Sequence, residues 1–217
     1  MHHTSKGNRG TTESTDIAPR TPRLQDDTVQ PARRIPGELG MWVFVFTDLM
    51  MFSAYFGAFM YERGNNLQEF SDGRSAMRTD FGLANTFLLL TASLLIALAV
   101  SAVRDSAVRP ARGLLLGAGA CGVAFVVNKG FEWSAEAAAG HTPQSSIFFQ
   151  MYYVLTGIHL LHVVIAMVVI VLMWRLLRCV EGEPGSQQVQ FLENGATFWH
   201  LTDALWIVLF TLFYLVR

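Results

Sequence analysis

Apolar residues in this chain gather into five long runs, Met41–Tyr61, Phe81–Val103, Gly113–Phe131, Ile147–Trp174 and Ala196–Val216, with polar stretches between them. About 20 residues at a 1.5 Å rise cover a hydrocarbon layer of ~30 Å, so each run predicts a transmembrane helix. Strands fit poorly, because the runs are continuous and rich in Leu, Ala, Val and Phe, without the in-out alternation of a barrel strand. The third run is the least regular: glycines suited to close helix contacts sit beside Asn128, Lys129 and Glu132. The pattern predicts an all-α, polytopic membrane helix bundle of about five helices over residues 40–217. Residues 1–39 are polar, rich in Thr, Arg, Asp and Pro, and read as a disordered cytoplasmic tail without the apolar core of a signal peptide.

Composition supports the membrane reading. The 217 residues are 52% hydrophobic and 15% charged, and the mean hydropathy is +0.34, outside the ordinary range for a soluble domain. A net charge of −1 gives no basic footprint for nucleic acid. Eleven of the 16 Lys and Arg residues fall in the tail and in the second and fourth connections, against four on the opposite side, with Lys129 left inside a run. The positive-inside rule then predicts that the chain, read as a bacterial inner-membrane protein, keeps its N-terminus in the cytoplasm and its C-terminus outside. Cys121 and Cys179 show neither metal-ligand spacing nor a disulfide framework and read as reduced.

The candidate chemistry lies in ionisable residues inside the apolar runs, where each costs roughly 2.5–3.5 kcal/mol on an insertion scale unless it finds a partner or a wet cavity. They are Asp48 in the first run, Lys129 and Glu132 at the third, His159 and His162 in the fourth, and His200 and Asp203 in the fifth. The i, i+3 spacing puts each of the last three pairs on one helix face. Counting rise per residue predicts an inner Asp/His layer and an outer Lys129–Glu132 ion pair. Three readings of the inner layer stand side by side: a metal or haem site, a proton relay, and hydrogen bonds that join helices. The metal reading is the weakest, because His-x-x-His lacks the Glu-x-x-His repeats of di-iron bundles.

Among the aromatics, Trp42, Phe52, Tyr55, Trp199 and Trp206 are candidates for packing or for lining a lipid cleft. Trp42, Trp133, Trp174 and Trp199 fall near the ends of runs, as an interfacial belt would require.

Several stretches fall in a recognisable order: Gly40-Met-Trp-Val-Phe-Val-Phe-Thr-Asp48, Asn85-Thr-Phe-Leu-Leu-Leu, Lys129-Gly-Phe-Glu-Trp133, Thr156-Gly-Ile-His-Leu-Leu-His162 and Trp199-His-Leu-Thr-Asp-Ala-Leu-Trp206. Together they make residues 40–217 resemble subunit III of the haem-copper oxidases. The resemblance implies a non-catalytic subunit of a respiratory terminal oxidase, such as a cytochrome c or quinol oxidase in aerobic electron transport. It implies no catalytic residues, no metal and no cofactor on this chain, with haem and copper in subunit I. Subunit I, other oxidase subunits and membrane phospholipids are the implied partners, and support of proton uptake is the implied role. Asp48 occupies the position of the family's buried Glu, with a shorter side chain. Longer members carry two further N-terminal helices where this chain has its polar tail. Thr47-Asp48 would also suit the subunit-III-like accessory proteins of nitric oxide reductase in denitrification. An independent proton channel or transporter using the Asp/His groups is the reading from a different class.

Overall fold

The computed structural model describes residues 39–180 and 182–215, so all of the expected tail except Leu39 lies outside the described residues. The described chain forms six α-helices: α1 (Leu39–Asn65), α2 (Leu67–Ala76), α3 (Thr79–Arg104), α4 (Val108–Ala138), α5 (Ile147–Arg178) and α6 (Ser186–Phe210). All except α2 are long and apolar enough to cross a membrane. The last span continues through a π-turn, Thr211–Leu215, whose wider i→i+5 winding leaves Phe213 and Tyr214 buried as neighbours.

Two boundaries differ from the sequence expectation in ways that matter. The third span runs to Ala138 instead of stopping near Phe131, so Lys129 and Glu132 lie within the helix and not at its frayed end. The fifth begins at Ser186, ten residues before the apolar run at Ala196. Its first turns are polar on the outside, and Glu193 meets Arg104 at the end of α3. Trp199 is therefore well inside α6 and 1% exposed, a correction to its expected place in the interfacial belt.

Helix α2 was not anticipated, because its sequence Leu-Gln-Glu-Phe-Ser-Asp-Gly-Arg-Ser-Ala is mostly polar. It is held by what it touches. Phe70 packs edge-on against Phe59 of α1 and Phe148 of α5, and Glu69 Oε1 accepts from the Ile147 amide at 2.6 Å. That amide is one of the donors left open at the start of α5. Ser146 caps the same end by accepting from Phe149 N at 3.2 Å. A side chain at Gly73 would run into the Phe148 ring, so glycine here permits the close approach of α2 and α5.

Helices α3, α4, α5 and α6 form the packed body, and α6 has the largest buried share of the five spans. Trp206, Phe125, Tyr152 and Phe213 fill its middle. Glycine permits a close crossing of α5 and α6, since a Cβ on Gly195 would lie 2.6 Å from Met173 Sδ and 2.9 Å from Val169 Cγ1. Helix α1 is attached more loosely, with 17% of its apolar window buried.

Candidate functional site

The ionisable residues settle into separate groups. In one group, Lys129 and Glu132 are each 1% exposed and pair at 3.0 Å across one turn of α4. Two tyrosines that the sequence reading missed complete it. Tyr152 of α5 and Tyr214 of the π-turn both donate to Glu132 Oε1. Lys129 Nζ donates to Tyr152 Oη at 3.0 Å and lies 5.2 Å above the Trp206 ring. A cation and an anion are thus neutralised within a single turn and then walled in by three aromatic rings. Such a pair survives in oil because geometry and extra hydrogen bonds offset desolvation. One turn on, Glu136 is buried and takes a 2.8 Å contact from His141 Nδ1. The His141 ring stacks on Phe149 with centroids 4.5 Å apart. Both residues were absent from the sequence candidates, since they lie beyond the expected end of the third run.

The five residues expected in the inner layer do not form one cluster. His162 of α5 bonds Asp48 of α1, Nε2 to Oδ1, at 2.9 Å, while its Nδ1 stands 2.8 Å from the Ile158 carbonyl oxygen. His200 of α6 instead meets Ser93 of α3, Nδ1 to Oγ, at 2.6 Å, while Asp203 is buried one turn further along α6 with its Oδ1 unpartnered. His159 belongs to neither. It is fully buried between Phe125 and Trp206, with ring centroids at 5.9 and 5.3 Å, and neither ring nitrogen has a partner. The i, i+3 rule did place His159 and His162 on one face, but the face is wide enough for one ring to enter the body and the other to reach α1.

Apart from Lys129–Glu132 within α4, His162–Ile158 within α5 and the Glu136–His141 contact, the polar bonds of this set join different helices: α1 to α5, α3 to α6, and α4 to α5 and the π-turn. Further bonds do the same. Trp206 Nε1 donates to Thr86 Oγ1 at 3.0 Å, and Asn128 Nδ2 donates to Asn85 Oδ1 at 2.8 Å between α4 and α3. Both ring nitrogens of His162 are already engaged, and among the described residues no three metal-ligating side chains converge. The arrangement fastens helices and holds charge in paired groups.

Of the aromatic candidates, Phe52, Trp199 and Trp206 are buried, whereas Trp42 and Tyr55 face outward. Tyr55 lines a lateral groove of about 420 Å³ between α1 and α5, with Ala58, Met151, Val154 and Leu155 along its apolar wall.

Comparison with known proteins places this architecture. Residues 30–216 match the family described as cytochrome c oxidase subunit III. A haem-copper oxidase subunit I+III from Aeropyrum pernix is 31% identical over 81% of this chain, which spans 22% of that longer protein. A cytochrome c oxidase subunit 3 from Thermostichus vulcanus is 29% identical over 82% of this chain and 86% of its own length. A cytochrome bo(3) ubiquinol oxidase subunit 3 from Pseudomonas putida is 26% identical over 82% of this chain and 84% of its own.

Proposed function

The chain belongs to the cytochrome c oxidase subunit III family, and on that premise we propose that it serves as the non-catalytic membrane subunit of a respiratory haem-copper terminal oxidase. One observation carries the reading: the family match covers all five spans, and several buried polar groups within them, Asp48–His162 and Glu132–Tyr152 among them, join one helix to another. Haem and copper then belong to the partner subunit I, where oxygen reduction takes place. This chain contributes a stable flank, supports proton uptake and holds phospholipid. The apolar groove beside Tyr55 has the shape and lining for an acyl chain. The membrane is taken as a bacterial plasma membrane, and the excess of Lys and Arg on one side of the spans favours an N-terminus in the cytoplasm and a C-terminus outside.

Affinity purification of the tagged chain in mild detergent tests the proposal. The expected result is a stoichiometric haem-bearing oxidase subunit in the eluate, with no haem or copper absorbance once the chain is separated from it. A chain that purifies alone, or one that brings down a nitric oxide reductase, overturns it. Proton flux from the chain reconstituted by itself in liposomes would also reject it.

A further inference from the structure

The lateral grooves of the bundle differ in the charge set beside them. In the groove between α1 and α5, the ionisable group besides Tyr55 is the carboxyl of Glu62, and the adjoining hollow carries Glu69. A second groove, of about 530 Å³, runs between α4 and α5 and is lined by valines and by Arg175. Through Val123, Met167 and Val171 it continues into a hollow of about 320 Å³ beside Trp174. Its ionisable group is therefore a cation.

Val164, Val168, Val171 and Arg175 follow one another at steps of four, three and four on α5, so they share one helix face, and all four are exposed. Leu116, Ala120, Val123 and Val127 repeat those steps on α4 and are exposed as well. The eleven residues from Val164 to Arg175 rise about 16 Å, close to half of a ~30 Å hydrocarbon layer. Beyond that, towards the start of α5, the two helices close on each other where the Trp133 and Tyr153 rings meet, centroids 5.5 Å apart. A groove one leaflet deep suits a single acyl chain, whereas a membrane-crossing helix would need the full thickness.

The arginines at this end of the bundle are not equally engaged. Arg112 Nε donates to the Leu177 carbonyl at 3.0 Å, and the Arg178 guanidinium lies 4.8 Å above the Trp174 ring. Arg175, three residues before the end of α5, has no hydrogen-bond or ion-pair partner among the described residues. A guanidinium carries five donors in a planar fork that matches a phosphate group. We infer that the α4–α5 groove binds one acyl chain of an anionic glycerophospholipid from the leaflet at the Arg175 end, with the lipid phosphate on the Arg175 guanidinium. The α1–α5 groove is a different site, since its Glu62 offers a phosphate no donor. The assignment holds whichever complex the chain serves, because it depends on this chain and the membrane alone.

Photo-labelling in vesicles tests the assignment. The full tagged chain, in the complex with which it purifies, is reconstituted in phosphatidylcholine vesicles that hold a trace of a phospholipid with a diazirine midway along one acyl chain. The probe is either phosphatidylglycerol or phosphatidylcholine, with identical chains. After irradiation and digestion, adducts on residues 123–127 and 164–171 are compared with adducts beside Tyr55. Phosphatidylglycerol is expected to label the α4–α5 residues about fivefold more than phosphatidylcholine, the factor equivalent to ~1 kcal/mol per basic residue beside an anionic lipid. Beside Tyr55 it should label no better. Arg175→Gln should abolish the preference, Arg175→Lys should keep part of it, and Val168→Trp, which fills the groove, should lower labelling by both probes. Equal labelling of α4–α5 by the two probes, a preference that survives Arg175→Gln, or an α4–α5 face that neither probe reaches because a protein covers it overturns the assignment.

Discussion

His162 Nε2 lies 2.9 Å from Asp48 Oδ1 and is the polar tie between α5 and α1. The Ile158 carbonyl can only accept, so His162 Nδ1 must donate to it. The contact with Asp48 therefore contains one shared proton, and the pair is neutral as a unit. Asp48→Asn can keep the bond, with the amide donating to Nε2, and is expected to change stability by less than about 1 kcal/mol. Asp48→Leu leaves Nε2 unpartnered and should cost about 1–3 kcal/mol. Thermal unfolding of the purified complex in detergent separates the two; a large loss with Asn would show that charge, and not hydrogen bonding, holds α1.

The Lys129–Glu132 pair makes a different prediction, because both groups are sealed from solvent. Lys129→Met leaves a carboxylate buried without its cation and should cost about 3–5 kcal/mol, whereas Lys129→Met with Glu132→Leu should recover most of that loss. Yield of monodisperse protein against temperature reads both, and a double variant no better than the single would contradict the pairing.

Tyr152 and Tyr214 donate to the same oxygen, Glu132 Oε1. Either phenol can hold the carboxylate when the other is gone, so Tyr152→Phe and Tyr214→Phe should each cost about 1–3 kcal/mol. Removing both should cost more than the two single losses combined, by about 0.5–3 kcal/mol. A double-mutant cycle on melting temperature measures the coupling, and strict additivity would count against a shared acceptor.

At Gly195 the prediction is steric. An added Cβ meets Val169 Cγ1 at 2.9 Å and Met173 Sδ at 2.6 Å. The methionine can swing aside, while the branched valine cannot without moving α5. Gly195→Ala is expected to cost about 1–3 kcal/mol through overpacking, and adding Val169→Ala should return a large part of it. Melting temperatures of the three variants decide the matter.

Much of this was legible before any coordinates. Five apolar runs announced five spans, because lipid demands a continuous stretch of that length. The i, i+3 pairs announced which ionisable residues share a helix. Partners on other helices were not legible. Nothing local in Ser93 points to His200, 107 residues away, and a tyrosine such as Tyr214 looks like any interfacial aromatic until the π-turn carries it to Glu132. Helix ends were misread where polar residues continue a helix past its apolar portion, as at Glu136 and Glu193. The short α2 escaped for the opposite reason: it exists through tertiary contacts at Phe70 and Glu69, with little apolar periodicity of its own.

The tie between Asp48 and His162 spans 114 positions along the chain. At about 5–20 residues per second during synthesis, Asp48 is made roughly 6–23 s before its histidine. For that interval a half-built chain has to shelter a lone carboxyl group in oil. Biogenesis, more than the finished bundle, is therefore the stage at which this aspartate is most exposed to failure.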